Sequence, residues 1–275
     1  MNALALTLAQ TSPKNCDKAH NLRVMKEISS EARRNDSDFL IFPELCLTGY
    51  VCRDLFYQLA EPLNGPSVKI LCDVAKENSL TMIFGMPVEG QVKGVIYNSS
   101  VMIDQNGDVE NYNKLYLPTH SVFEEKIYFR SGNEIKCFEN KKCRFGLTIC
   151  YDLYFPEIYR VLALEGSDVV ICISASPSTR QEYFEALTKA RAIENGTYLV
   201  FVNRVGIEDG LHFWGGSQVV SPNGEVLAKA PYYEEKTISV TIDLDEPRKI
   251  RAFIPTIRDL RTEILDTLIR RSYEI

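Results

Sequence analysis

Three apolar runs in this chain end on residues whose side chains do chemistry. Phe39-Leu40-Ile41-Phe42 delivers Pro43-Glu44, Phe145-Gly146-Leu147-Thr148-Ile149 delivers Cys150-Tyr151-Asp152, and residues 168–174 deliver Ala175-Ser176-Pro177. In α/β proteins ligands bind beyond the carboxyl ends of strands, so a carboxylate, a thiol and a hydroxyl presented this way can share one pocket. Cys150 stands between a predicted strand and a predicted helix over 155–165. Free backbone N–H groups and the positive helix end are expected there, and both favour the nucleophilic thiolate. Each residue also has a plainer reading. Cys150 suits a buried structural thiol, Glu44 a cap or ion-pair partner, and Lys114, in Tyr112-Asn113-Lys114-Leu115-Tyr116-Leu117-Pro118, a snorkelling surface group.

The elements that must position these residues alternate between strand and helix patterns, which predicts an α/β fold. Strands are expected over 3–9, 39–42, 80–85, 95–104, 144–149, 168–174, 198–203 and 238–244, with a hairpin around Asn223-Gly224 within 217–230. Residues 18–34 carry Leu22, Met25, Ile28 and Ala32 at helical spacing, and 180–195 form a second helix closed by Gly196. No linker composition divides the chain, so residues 1–275 are read as one domain. The tail 246–275 mixes basic and apolar residues, and is expected to pack on the body or on a partner subunit.

Bulk properties narrow the function classes. The net charge of −6 gives no basic face for nucleic acid. No apolar run reaches the roughly 20 residues of a membrane span. Met1-Asn2-Ala3-Leu4 has no basic leader region, so a cytoplasmic protein is expected. Eight cysteines in apolar surroundings read mostly as reduced buried thiols. They form no CxxC pair, and His20, His120 and His212 lie far apart, so no zinc site of the usual spacing is predicted.

Taken together, the strings become specific. Ile41-Phe42-Pro43-Glu44-Leu45, Asn113 to Pro118 and Ile149-Cys150-Tyr151-Asp152-Leu153-Tyr154-Phe155-Pro156-Glu157 resemble the carbon–nitrogen hydrolase (nitrilase) superfamily, in the family's order. The resemblance continues through Phe123-Glu124-Glu125, Ala190 to Asn195, Val202-Asn203-Arg204-Val205-Gly206, Gly215-Gly216-Ser217 and Asp259 to Glu263. It implies a four-layer α-β-β-α sandwich, assembly into homodimers or larger oligomers, and a Glu-Lys-Cys triad falling on Glu44, Lys114 and Cys150. It further implies a substrate-positioning glutamate, best matched by Glu125 with Glu124 the neighbouring alternative, and needs no metal or organic cofactor. The backbone N–H of Tyr151 and the Lys114 ammonium are the expected oxyanion donors.

The substrate is less sharply indicated. Leu47-Thr48-Gly49-Tyr50, Val122 to Lys126 and Ala175-Ser176-Pro177 look like the glutaminase domain of NAD synthetases, in which Ser176 and Arg180 would match groups that grip glutamine. His120 departs from that branch's tyrosine. The Cys150-Tyr151-Asp152 string is instead similar to free-standing amidases, although those commonly carry arginine at the Tyr154 position. Tyr50, His120, Tyr151, Tyr154, Ser176 and Arg180 are therefore taken as substrate-positioning candidates. A stand-alone amidase acting on a small ω-amide or N-carbamoyl compound is the first expectation. A glutaminase subunit serving a separate synthetase, a true nitrilase and a non-catalytic small-molecule binder are the alternatives. A cysteine–histidine hydrolase using His120 or His212 is disfavoured, since neither ends a predicted strand.

Overall fold

The alternation and apolar runs in the sequence become two stacked sheets in the computed structural model, which describes residues 2–274. Along the chain lie β1 (Ala3–Gln10), β2 (Phe39–Ile41), β3 (Thr81–Glu89), β4 (Ile96–Ile103), β5 (Val109–Asn113), β6 (Cys137–Glu139) and β7 (Arg144–Ile149). Then follow β8 (Val169–Ser174), β9 (Tyr198–Asn203), β10 (Val205–Glu208), β11 (Leu211–Trp214), β12 (Gln218–Val220), β13 (Val226–Lys229) and β14 (Lys236–Asp243). The helices are α1 (Lys18–Arg34), α2 (Phe56–Leu59), α3 (Pro66–Asn78), α4 (Glu125–Tyr128), α5 (Pro156–Leu164), α6 (Gln181–Asn195), α7 (Glu246–Phe253) and α8 (Thr262–Ser272).

One sheet runs β14-β1-β2-β3-β4-β5 and the other β13-β12-β9-β8-β7-β6. Each has a parallel centre, β1-β2-β3 and β7-β8-β9, so each sends its carboxyl ends to one side. Register fixes which residues arrive together. Leu8, Ile41 and Ile83 are aligned neighbours in the first sheet, and Ile149, Ile173 and Val202 in the second.

The run Phe39 to Phe42 is wholly apolar because both faces of β2 are covered. Phe39 and Ile41 join Leu4, Leu6 and Leu8 against Phe145, Leu147 and Ile149 of the facing sheet. Phe39 and Phe145 meet edge-to-face at 5.0 Å between ring centroids. Leu40 and Phe42 turn the other way, onto Met25 and Ala32 of α1 and Val68, Leu71 and Val74 of α3. On the far side α5 and α6 cover the second sheet through Ile158, Leu162, Phe184 and Ala192. The layers are α-β-β-α, as the resemblance implied.

Most predicted elements fall within a residue or two of the observed ones, and α6 ends at Gly196 in the left-handed region at φ 56°. β3 runs four residues beyond the predicted end at Gly85, because β4 pairs with it through Glu89. In the tail, α7 and the segment after it are docked: Arg251 donates to the Ser167 carbonyl at 2.5 Å and Thr256 to the Glu194 carbonyl at 3.0 Å. α8 buries no residue, and Ile264, Leu268 and Ile269 are exposed. No described helix is long and apolar enough to cross a membrane.

Candidate active site

The nucleophile candidate sits on a sharp turn. Ile149 is still extended, and Cys150 then enters the left-handed region at φ 45°. For a residue with a Cβ that conformation costs about 1–2 kcal/mol and persists only where surroundings enforce it. Asp152 supplies the enforcement. Its Oδ2 accepts from the Ile149 N–H at 3.0 Å and the Tyr112 hydroxyl at 2.8 Å, and its Oδ1 from the Tyr116 N–H at 3.0 Å. One buried carboxylate thus ties the Cys150 turn to the segment that carries Lys114. Burial pushes the Asp152 carboxyl up to about 6.

Glu44 reaches the same place from the other sheet. After Pro43 the chain crosses β3 at Gly85, where a Cβ would stand 2.2 Å from the Leu45 nitrogen, so only glycine permits the crossing. Leu45 is itself left-handed at φ 49°. Glu44 Oε2 accepts from the Ala175 N–H at 2.7 Å, and Oε1 accepts from Asn98 Nδ2 and Lys114 Nζ, each at 2.7 Å. Lys114 also donates to Glu125 Oε1 at 2.7 Å, and that oxygen accepts from the Tyr50 hydroxyl at 2.6 Å. Lys114 is fully buried, not a surface group.

The electrostatics follow from this packing. Burial alone would lower the Lys114 pKa, but Glu125 and Glu44 more than offset it and hold the ammonium charged. Burial pushes Glu125 up to about 7 against the pull of Lys114. Burial also raises the Cys150 thiol well above its ordinary value, Glu44 adds to the rise, and Lys114 opposes it. This corrects the expectation of a helix-stabilised thiolate. The residues after Cys150 form a 3₁₀ turn that leads into α5 at Pro156, within a residue of the predicted helix start. Burial and Glu44 together thus favour the protonated sulfur.

Cys150 opens onto a pocket shared with His120, Tyr151, Tyr154, Ser176 and Arg180, walled also by Phe123 and Phe184. Tyr151 contacts His120 and Tyr154, each at 5.3 Å between ring centroids. The Ser176 hydroxyl is buried without a hydrogen-bond partner, and no carboxylate pairs with Arg180 among the described residues. Tyr50 is placed differently. Its hydroxyl serves Glu125, while its backbone N–H is held by Glu208 Oε2 at 2.9 Å, so it braces the charged cluster and is absent from the wall of this pocket.

Sequence reasoning missed several supporting residues besides Glu208. Asn98 holds Glu44, Asp152 holds the Cys150 turn, and Asn203 clamps the Ser176 turn by accepting its N–H at 2.8 Å and donating to its carbonyl at 3.3 Å. A signal existed for the first, since Asn98-Ser99-Ser100 interrupts an otherwise apolar strand. Among the described residues no group of three or more His, Cys, Asp or Glu is arranged to hold a metal ion.

Comparison with known proteins agrees with this architecture. The profile of the Carbon-nitrogen hydrolase family matches residues 5–252. A probable nitrilase of Schizosaccharomyces pombe is 34% identical over 90% of this chain and 91% of its own length. An (R)-stereoselective amidase of Pseudomonas sp. is also 34% identical, over 94% of this chain and 92% of its own. The solved structure of an amidase mutant from Nesterenkonia sp. AN1, showing Michael addition of acrylamide at the active-site cysteine, superposes with a TM-score of 0.84. It is 26% identical and covers 96% of this chain and 99% of that one.

Proposed function

The chain belongs to the carbon–nitrogen hydrolase family, and we propose that it hydrolyses a small ω-amide or N-carbamoyl compound through a thioester on Cys150, releasing ammonia. The observation that carries this reading is the buried Glu44–Lys114–Glu125 cluster, with its ammonium shared at 2.7 Å by both carboxylates, beside the Cys150 sulfur.

An amide carbonyl yields only to a strong nucleophile with its developing charge stabilised. Glu44 takes the Cys150 proton, and the sulfur attacks the carbonyl carbon. The oxyanion is met by the Lys114 ammonium and the Tyr151 N–H. Glu44 then returns the proton to the leaving nitrogen, the carbon–nitrogen bond breaks, and ammonia departs from the thioester. The same carboxylate removes a proton from water, which attacks the thioester and restores the thiol. Asn98 and the Ala175 N–H keep Glu44 aimed through the cycle.

Two groups on the pocket wall support this substrate class. Arg180 offers a guanidinium that no carboxylate pairs among the described residues, and Ser176 an unused hydroxyl on the same wall, which suits a carboxylate at the far end of the acyl group. The exposed apolar stripe of α8 belongs, on this reading, to a homo-oligomeric contact. Ammonia release from paired amides with and without a distal carboxylate tests the proposal. The carboxylate-bearing member is favoured by wild type, and Arg180→Met raises its KM about 10–100-fold. Equal turnover of both members, unaffected by Arg180→Met, contradicts the substrate assignment.

A further inference from the structure

Two cysteines outside the site meet at a structural seam. Cys16 lies in the loop entering α1, and Cys52 closes the loop that carries Tyr50. Both loops converge on one carbonyl: the Cys16 N–H donates to the Thr48 oxygen at 2.6 Å, and the Cys52 thiol donates to the same oxygen at 3.2 Å. Asn15 Oδ1 accepts from Cys52 Sγ at 3.1 Å, while Asn15 Nδ2 donates to the Val51 carbonyl at 2.8 Å. Cys16 packs against the apolar cluster that contains Cys52. Cys16 is also left-handed at φ 58°, a conformation unusual for a residue with a Cβ.

We propose that Cys16 and Cys52 form a reversible disulfide that staples the loop before α1 to the Tyr50 loop. Cys16 is partly exposed and Cys52 buried, so a peroxide meets Cys16 first. The Cys16 thiol is oxidised to sulfenic acid as hydrogen peroxide is reduced to one water. Cys52 sulfur then displaces hydroxide from it, giving the disulfide and a second water. In all, two thiols lose two electrons and two protons to one peroxide. Thiol reductants reverse the bond.

The staple joins segments already in contact, so it forms without dismantling the site. Tyr50 keeps its hydroxyl on Glu125, and Glu208 keeps the Tyr50 and Val51 N–H groups. The bond removes unfolded-state freedom across the intervening chain, and an upward shift in the thermal midpoint of roughly 5 °C is expected.

The test treats wild-type protein with stoichiometric hydrogen peroxide, alkylates residual thiols and maps tryptic peptides. A link is expected between peptide 15–18 and peptide 35–53, with a raised thermal midpoint that reductant cancels. Because Cys46 shares the second peptide, Cys52→Ser and Cys16→Ser must each abolish both the link and the shift, while Cys46→Ser retains them. Full alkylation of Cys16 and Cys52 after peroxide, oxidation of Cys16 to sulfinic acid without a link, or a link that persists in Cys52→Ser overturns the proposal.

Discussion

Lys114 Nζ stands 2.7 Å from Glu44 Oε1, and neither side chain has any solvent exposure. Such a pair is held by its remaining partners, here Glu125 for the ammonium and Asn98 and the Ala175 N–H for the carboxylate. Removing the cation leaves two carboxylates facing each other in a dry site. Lys114→Met is therefore expected to lose turnover and about 3–5 kcal/mol of stability, read by urea unfolding. A variant of unchanged stability would show that the cluster is not closed to water.

Glu44→Gln keeps the volume and the Asn98 contact region but cannot take the thiol proton. Because burial and Glu44 disfavour the Cys150 thiolate, kcat is expected to fall about 10²–10⁴-fold with the fold intact. Steady-state kinetics beside circular dichroism decide this; near-wild-type kcat would remove Glu44 from the base role.

The pH dependence has a defined sign. Burial raises Asp152 to about 6 and Glu125 to about 7, both above ordinary carboxylates. The unfolded chain therefore releases these protons first, and their contribution to stability is full at low pH and is lost as pH rises through 6 to 7. Glu125→Gln cannot lose a proton, so its thermal midpoint is expected to gain on wild type between pH 5 and pH 7.5. In wild type, kcat/KM should decline on the acid side of about 7 as Glu125 is protonated and Lys114 loses a counter-charge. A midpoint difference independent of pH would place the titration elsewhere.

Asn98 offers a cleaner probe of positioning. Its amide donates to Glu44 at 2.7 Å from a fully buried strand position. Asn98→Ala is expected to lower kcat about 10–100-fold while KM changes little, at a stability cost of about 1–3 kcal/mol. A KM effect of the same size would make Asn98 a substrate contact.

Assembly through the tail is tested by light scattering. Ile264, Leu268 and Ile269 expose one apolar stripe on α8. Wild type is expected well above the 31.3 kDa of one chain, and Leu268→Glu with Ile264→Glu is expected to shift mass towards it. A wild-type mass of one chain contradicts the oligomer.

The strand ends bearing Glu44, Cys150 and Ser176 were legible because a fully covered parallel strand writes itself as an apolar run, and the next polar residue then stands out. Lys114 was not legible by itself; only its company in the family strings distinguished it from a surface lysine. Supporting residues were hidden for a different reason. Asp152 acts on backbone N–H groups of Ile149 and Tyr116, and Glu208 on those of Tyr50 and Val51, contacts that leave no side-chain pattern along the chain. The burial that works against the Cys150 thiolate was likewise unreadable, since it comes from elements distant in sequence.

The central claim is a covalent acyl-enzyme at one sulfur. Rapid quenching of wild type during turnover of a slow carboxylate-bearing amide, followed by intact mass and peptide mapping, tests it most directly. The account predicts a mass gain equal to the acyl group, located on Cys150 and absent from Cys150→Ala, whose turnover drops at least roughly 10³-fold. Sustained hydrolysis by Cys150→Ala, or an adduct on any other residue, contradicts it.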